Sequence, residues 1–254
     1  MPAGAIKTTL QLRSADPLYK QIERDILQCL AEGEWKPGAQ LPIESALAKR
    51  FGVAIYTVRA GIGELVAAGI LARKQGKGTF VARHERDRAR QHFARVFDHQ
   101  NRGVVPTKEV VTTFRKLRAD ERAMNLLRLG QRKQPFVYHW ETIVEVDDNA
   151  ISIRHITVPA HLFPGLTVRV LRDNLQNMYA LYQDVCGLNV IRMEDRVLAV
   201  RADARASTVL GMKRGDPLLH IDRIAFTYND VPVELRTRIY DSSRFHYRAD
   251  QPAI

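Results

Sequence analysis

Residues 51–81, FGVAIYTVRAGIGELVAAGILARKQGKGTFV, constrain the fold more than any other stretch of this chain. Val58, Ile62 and Leu65 recur at helical spacing, so the segment from about 55 to 68 is expected to be a helix that Gly69 stops. Directly behind it, ILARKQGKGTFVA reads as two short strands around Lys74-Gln75-Gly76-Lys77-Gly78, where glycine permits positive φ. Two helices come before. PLYKQIERDILQCLAEG sets Leu18, Ile22, Ile26 and Leu30 four residues apart, with Pro17 suited to the first helical position and Gly33 to the exit. After a turn at Pro37-Gly38, a short helix over roughly 43–51 carries Leu47, Ala48 and Phe51, and Gly52 ends it. Three helices, a tight corner and a small hairpin make a winged helix-turn-helix, a unit that lays one helix in the DNA major groove.

The bulk numbers agree with such a partner. The 254 residues carry a formal charge of +11, which suits a polyanion, and 45% apolar with 26% charged residues is the balance of a soluble globular protein. The start, MPAGAIKTTL, has no apolar signal core, and no run approaches the ~18 apolar residues of a membrane span. Cys29 and Cys186 are far apart, match no metal-ligand spacing and form no disulfide framework, so a cytoplasmic setting is expected. The stretch GIGELVAAG is not a dinucleotide loop, because Val66 occupies the third glycine position and no strand precedes it.

The pieces PLYKQIERDI, GEWKPGAQLPIESALAKRFGV, TVR, ELVAAGIL and RKQGKGTFV together resemble the DNA-binding domain of GntR-type transcriptional regulators over residues 16–82. That resemblance implies DNA contacts from Ser45, Lys49, Arg50, Tyr56, Thr57 and Arg59 and from the wing residues Gly76, Lys77 and Gly78. This chain departs from the family pattern at three places. Ile43 stands for a polar residue, Ser45 for an arginine, and Ala54-Ile55 for Ser-Arg. A missing serine cap costs roughly 1 kcal/mol, and an arginine–guanine pair is worth about 1–3 kcal/mol of discrimination. An unusual operator or weaker affinity is therefore expected. Ile55 has two readings, contact with a thymine methyl or packing; so has Tyr56, contact with DNA or packing on the first helix. Gly61 and Gly63 each cost up to about 1 kcal/mol inside a helix unless they allow close packing.

Residues 82–102 hold six arginines against three carboxylates and read as a basic, partly helical linker. His84, His92 and His99 recur there at near-helical spacing, but no carboxylate or cysteine stands at ligand spacing, so no metal is expected. Beyond them, PFVYHWETIVEV alternates, with Phe136, Tyr138, Trp140, Thr142 and Val144 on one face, and Asp147-Asp148-Asn149 turns it into AISIRHITV. LRDNLQNMYALYQDVCGL reads as one helix, 189–201 as a strand, ADARASTVLGM as a short helix, and GDPLLHIDRIAFTYNDVPVELRTRIY as a second hairpin around Asn229-Asp230. The fold class expected is α+β: an N-terminal winged helix-turn-helix, then an antiparallel-sheet domain.

HLFPGL, LGMKRGDPLLHIDR, VPVEL and RIYDSSRFHYR are similar to motifs of the UTRA effector-binding domain of the HutC-type branch, over about 103–249. The resemblance implies a chorismate-lyase-like fold, a bound metabolite and a homodimer. Domains at 14–82 and 103–254, joined by a linker at 83–102, follow. Many sugar-phosphate sensors of this branch carry two arginines where Thr142 and Val144 stand here, and a glutamate where Arg154 stands. Losing those cations argues against a phosphosugar, while Arg154 favours a carboxylate, whose geometry its fork matches. The expected effector site comprises Tyr138, Trp140, Thr142, Arg154, Glu234, Arg236 and Tyr240. A structural Arg154–Glu234 pair and a core role for Trp140 are the competing readings.

The chain is thus expected to be a ligand-responsive repressor, with an operator duplex and a small organic acid as partners and no cofactor. Two other functions stay open: a drifted winged domain serving protein interaction, and a lyase-like enzyme using His155 and Glu234. Against the enzyme, there is no G-x-S-x-G, no H-E-x-x-H and no ordered nucleophile–base set.

Overall fold

The apolar stripe of the first helix, α1 (Leu18–Ala31), buries Ile22, Ile26, Cys29 and Leu30. Pro17 is its N-cap rather than its first helical residue. Helix α2 (Glu44–Phe51) ends on Gly52 in the left-handed region, and α3 (Ile55–Ala67) begins after the two intervening residues Val53 and Ala54. Ile22, Ile26, Leu47, Val58, Leu65 and the start of the hairpin at Leu71 form one core. Strands β1 (Leu71–Lys74) and β2 (Gly78–Val81) pair antiparallel, and Gln40 bridges to Phe80. This computed structural model describes residues 16–83, 95–100, 102–103, 108–130 and 134–249; its two compact units divide between Arg83 and His84. His84, His92 and the helix expected in the linker lie outside the described residues.

Gly61 is where α1 and α3 touch. A Cβ added there would lie 2.9 Å from the Tyr19 carbonyl oxygen and 3.2 Å from Ile22 Cγ2, whereas one on Gly63 would meet nothing within 4 Å. Close packing explains the first helical glycine and not the second.

The second unit is built on a six-stranded antiparallel sheet in the order β4-β5-β6-β9-β8-β7. Its strands are β4 (Lys108–Arg118), β5 (Phe136–Val146), β6 (Asn149–Pro159), β7 (Arg192–Arg201), β8 (Pro217–Phe226) and β9 (Pro232–Asp241). A separate two-stranded ribbon pairs β3 (Val96–Asp98) with β10 (Phe245–Tyr247). The helices are α4 (Glu121–Leu126), α5 (Val168–Asn174), α6 (Met178–Cys186) and α7 (Ala204–Leu210). The single helix expected over LRDNLQNMYALYQDVCGL is broken into α5, a 3-10 turn at Leu175–Asn177, and α6. Asparagine side chains compete with the helical backbone there: Asn174 donates to the Val170 carbonyl, and Asn177 accepts from the Ala180 amide to start a new helix. Asp203 caps α7 by accepting from the Ala206 amide at 2.7 Å, and Gly211 ends it at φ +67°.

Cross-strand partners share a sheet face. On one face, Trp140, Ile156, Phe163, Leu171, Tyr182 and Val233 form a core with α5 and α6, and Val144, Ile221, Tyr240 and Phe245 form a second beside β3 and β10. On the opposite face, Val137 and Leu235 pack with Leu127 near α4, while Ile153 and Leu218 pack with α7. Each face therefore has two apolar clusters, and polar residues lie between them.

Candidate functional site

In the winged unit the starts of α2 and α3 and the wing line one open groove of about 560 Å³, whose walls include Ile43, Ser45, Ile55, Arg59, Gly76 and Gly78. Ser45, Lys49 and Lys77 are exposed, and Thr57 is half-buried. Tyr56 is 78% exposed, so its ring does not pack on α1. Neither Ile43 nor Ala54 supplies a side-chain cap to the helix it precedes. Arg59 Nε donates to Glu44 at 2.8 Å, and Arg73 lies 3.5 Å from the same carboxylate. Both pairs are surface contacts that a phosphate or base can replace at little cost. Arg50 is engaged differently: its guanidinium holds both oxygens of Glu34, reaches Cys29 Sγ at 3.5 Å, and lies over the Trp35 and Phe51 rings. The wing is shaped by Gln40, whose amide donates to the Lys77 carbonyl at 2.7 Å. Gly78, at φ +110°, leaves room for that amide.

In the second unit, Thr142, Arg154, Glu234, Arg236 and Tyr240 lie on one sheet face. Register adds four residues that the sequence reading missed. Arg154 stands opposite Arg238 on β9, Arg236 opposite Arg223 on β8, and Arg223 opposite Asp195 on β7, while Glu109 reaches in from β4. Four arginines, Arg223 and Arg238 buried and Arg154 and Arg236 half-buried, thus meet three carboxylates. Arg154 Nη1 is 3.0 Å from Glu109, which also accepts from the Thr142 hydroxyl at 2.7 Å. Arg223 donates twice to Asp195, each at 2.6 Å. Glu234 accepts from Arg236 at 2.7 Å, Tyr182 at 2.5 Å and Tyr179 at 3.3 Å. Arg154 and Glu234 therefore have separate partners, and the structural pair considered between them does not form.

Arg238 is the surplus cation. Its nearest carboxylate contact is Asp195 at 3.6 Å, and Asp195 is already engaged by Arg223 and by the Tyr247 hydroxyl. Nε and Nη2 of Arg238 are buried without a hydrogen-bond partner, as are Nε of Arg154 and Arg236. Burial, reinforced by the charge of Arg223, pulls the Arg238 guanidinium down to about 10. Burial opposes ionisation of the Tyr240 hydroxyl, yet Arg154 and Arg238 hold it below the usual tyrosine range. Trp140 lies wholly in the core and Tyr138 packs on Phe114 with ring centroids 5.5 Å apart. Strand alternation alone reached Arg236 and Tyr240; the clustering of Arg223 and Asp195 required the strand order.

His155, considered with Glu234 as an acid–base pair, sits on the opposite face. Its Nδ1 is 3.8 Å from Glu141, which binds Arg205 and accepts from Thr112. No group of three or more histidine, cysteine or acidic side chains arranged to hold a metal occurs among the described residues.

The same two units are found in known proteins. The gntR family of bacterial regulatory proteins matches residues 18–81, and the UTRA domain matches residues 101–246, more than half of the chain. The chain belongs to the GntR family of regulators that carry a UTRA domain. It is 30% identical to the histidine utilization repressor of Pseudomonas putida, over 90% of this chain and 89% of that one. It is also 30% identical to the mannosyl-D-glycerate transport/metabolism system repressor of Escherichia coli K12, over 80% and 82%. Among solved structures, the ligand-binding domain of a GntR-family regulator from Bordetella bronchiseptica is 27% identical with a TM-score of 0.56, covering 63% of this chain and 98% of that one. YydK of Bacillus subtilis shares the fold at 16% identity and a TM-score of 0.54, covering 93% and 100%. The protein is accordingly a ligand-responsive, DNA-binding transcriptional repressor, α+β in class.

Proposed function

We propose that this GntR-family repressor binds its operator as a homodimer in the cytoplasm and is controlled by a small monoanionic carboxylate. Residues 14–82 would read DNA, 83–102 join the units, and 103–254 hold the effector. The names of the two relatives refer to the utilization of histidine and to mannosyl-D-glycerate, both carboxylate-bearing compounds. No catalytic role is assigned.

One observation carries the effector reading: Arg238, a buried cation beyond the number that Glu109, Asp195 and Glu234 can neutralise, with two donors unpartnered. A buried unpaired cation costs several kcal/mol, which an anion would offset. The excess is a single charge. A monocarboxylate neutralises it, whereas a phosphate dianion would leave the cluster negative. This supports the expected carboxylate on different grounds, since the cations lost at Thr142 and Val144 are more than replaced by Arg223, Arg236 and Arg238. A carboxylate also takes two parallel N–H donors from one guanidinium. Binding would lower operator affinity by favouring the arrangement less suited to DNA.

Calorimetric titration of the full chain with small carboxylates and matched phosphate esters tests this. Carboxylates are expected to bind and to weaken operator binding. Arg238→Met should abolish the binding while raising the unfolding midpoint of the free protein. Uptake of phosphate esters alone, or unchanged carboxylate binding by Arg238→Met, would overturn the proposal.

A further inference from the structure

Three large apolar side chains at the starts of α2 and α3 have no protein partner to explain their exposure. Ile43 is 69% exposed, Ile55 45% and Tyr56 78%. Ile43 and Ile55 both line the groove that also contains Arg59 and the wing glycines. Two costs coincide there. An apolar residue at Ile43 and Ala54 forgoes a side-chain cap at each helix, and apolar surface stays in water. A sequence that breaks local rules twice at one place marks a surface made to be covered.

What covers it follows from charge and shape. From Glu34 to Arg83 the chain carries eight lysines and arginines against three carboxylates; Glu34 is held by Arg50, and Glu44 is shared by Arg59 and Arg73. A rim of this sign around an apolar centre fits a duplex whose phosphates lie outside and whose major groove presents thymine 5-methyl groups, the apolar mark on a base edge. In a helix-turn-helix the first residues of the second helix reach those edges. Ile55 is the first residue of α3.

We infer that Ile55, supported by Ile43, reads thymine methyl groups, so that operator choice rests on an apolar contact at this position. The inference rests on the DNA-reading function of the winged unit. Arg59 and Lys77 supply charge, and the two isoleucines supply the preference. Burying one methyl group corresponds to about a fourfold change in affinity.

The experiment begins with duplexes enriched by the full chain from a random pool. Each thymine of the enriched site is then replaced, one at a time, by deoxyuridine, which removes only the methyl group. Loss of affinity by several-fold is expected at one or two thymines per half-site, with an unchanged salt slope. Ile55→Ser should bind the thymine and deoxyuridine duplexes equally, while Ile55→Val, which keeps methyl groups at the contact, should retain the difference. Both changes fall on an exposed side chain, and unfolding midpoints verify that each variant folds. Equal binding of every deoxyuridine duplex by the unaltered protein, or discrimination retained by Ile55→Ser, overturns the inference alone. A pool that never enriches overturns the DNA-reading function and the inference together, and would bring a protein partner for this face to the front.

Discussion

At the scale of single residues, two glycines two positions apart in the middle of one helix face opposite requirements. Gly61 faces the Tyr19 carbonyl at a distance no real Cβ tolerates, so Gly61→Ala must push α1 away from α3. Gly63 faces open space and carries only the entropic penalty of glycine in a helix. Gly63→Ala is therefore expected to stabilise the winged unit by up to about 1 kcal/mol and Gly61→Ala to destabilise it by more than that. Urea unfolding followed by helix circular dichroism reads both, and equal shifts of the same sign would contradict the packing argument. From sequence the two glycines looked alike. The neighbouring helix supplies the difference.

At the scale of elements, strands β5 and β6 carry charge on both faces of the sheet. On the face away from the arginine cluster, His139 and His155 stack with ring centroids 6.0 Å apart, and His139 Nδ1 is 2.9 Å from the Thr157 hydroxyl. Burial depresses both imidazoles below the ordinary histidine value; Arg115, Arg122, Arg205 and His220 add to the effect, and Glu141 opposes it. An unfolded imidazole takes its proton near pH 6.5, and these two take theirs lower. Between those values the unfolded chain binds more protons, so stability falls as pH drops below about 6.5. The carboxylates are held down by their partners: at Glu141 burial is outweighed by Thr112 and Arg205, and at Asp222 by Thr237 and Arg122. They lose their contribution only at lower pH. Replacing His139 with Asn and His155 with Gln should flatten the limb between about pH 6.5 and 5. Urea midpoints across that range decide it, and an unaltered limb in the double variant would place the sensitivity elsewhere. The elements were unequally legible. The β5–β6 hairpin and Asp203-capped α7 follow from alternation and capping, whereas β4 and α4 carry weaker local signals. The α5–α6 break is set by asparagine side chains that outcompete the backbone.

For the molecule as a whole, affinity for DNA should come mainly from phosphate contacts, and hence fall with salt. Lys77 at the wing tip is exposed, while its backbone is held by Gln40. Lys77→Ala should weaken binding to all duplexes alike and lower the salt slope by about 1 for each wing engaged. Fluorescence anisotropy over a salt series measures it, and a sequence-selective loss would instead mean that Lys77 reads bases. The sequence by itself determined the winged unit, because its helices, caps and hairpin are local: apolar spacing, glycines and turns act within a few residues of one another. It also determined that the second half is an antiparallel sheet with Glu234, Arg236 and Tyr240 on one face of their strand, since alternation has a fixed period of two. Only the tertiary structure decided which charges meet. Glu109, Asp195, Arg223 and Arg238 come from four strands, and their balance depends on the order β4-β5-β6-β9-β8-β7 and its register. Arg154 therefore pairs with Glu109 and leaves Arg238 as the surplus charge, because ion pairing depends on distances that strand order sets and sequence separation does not.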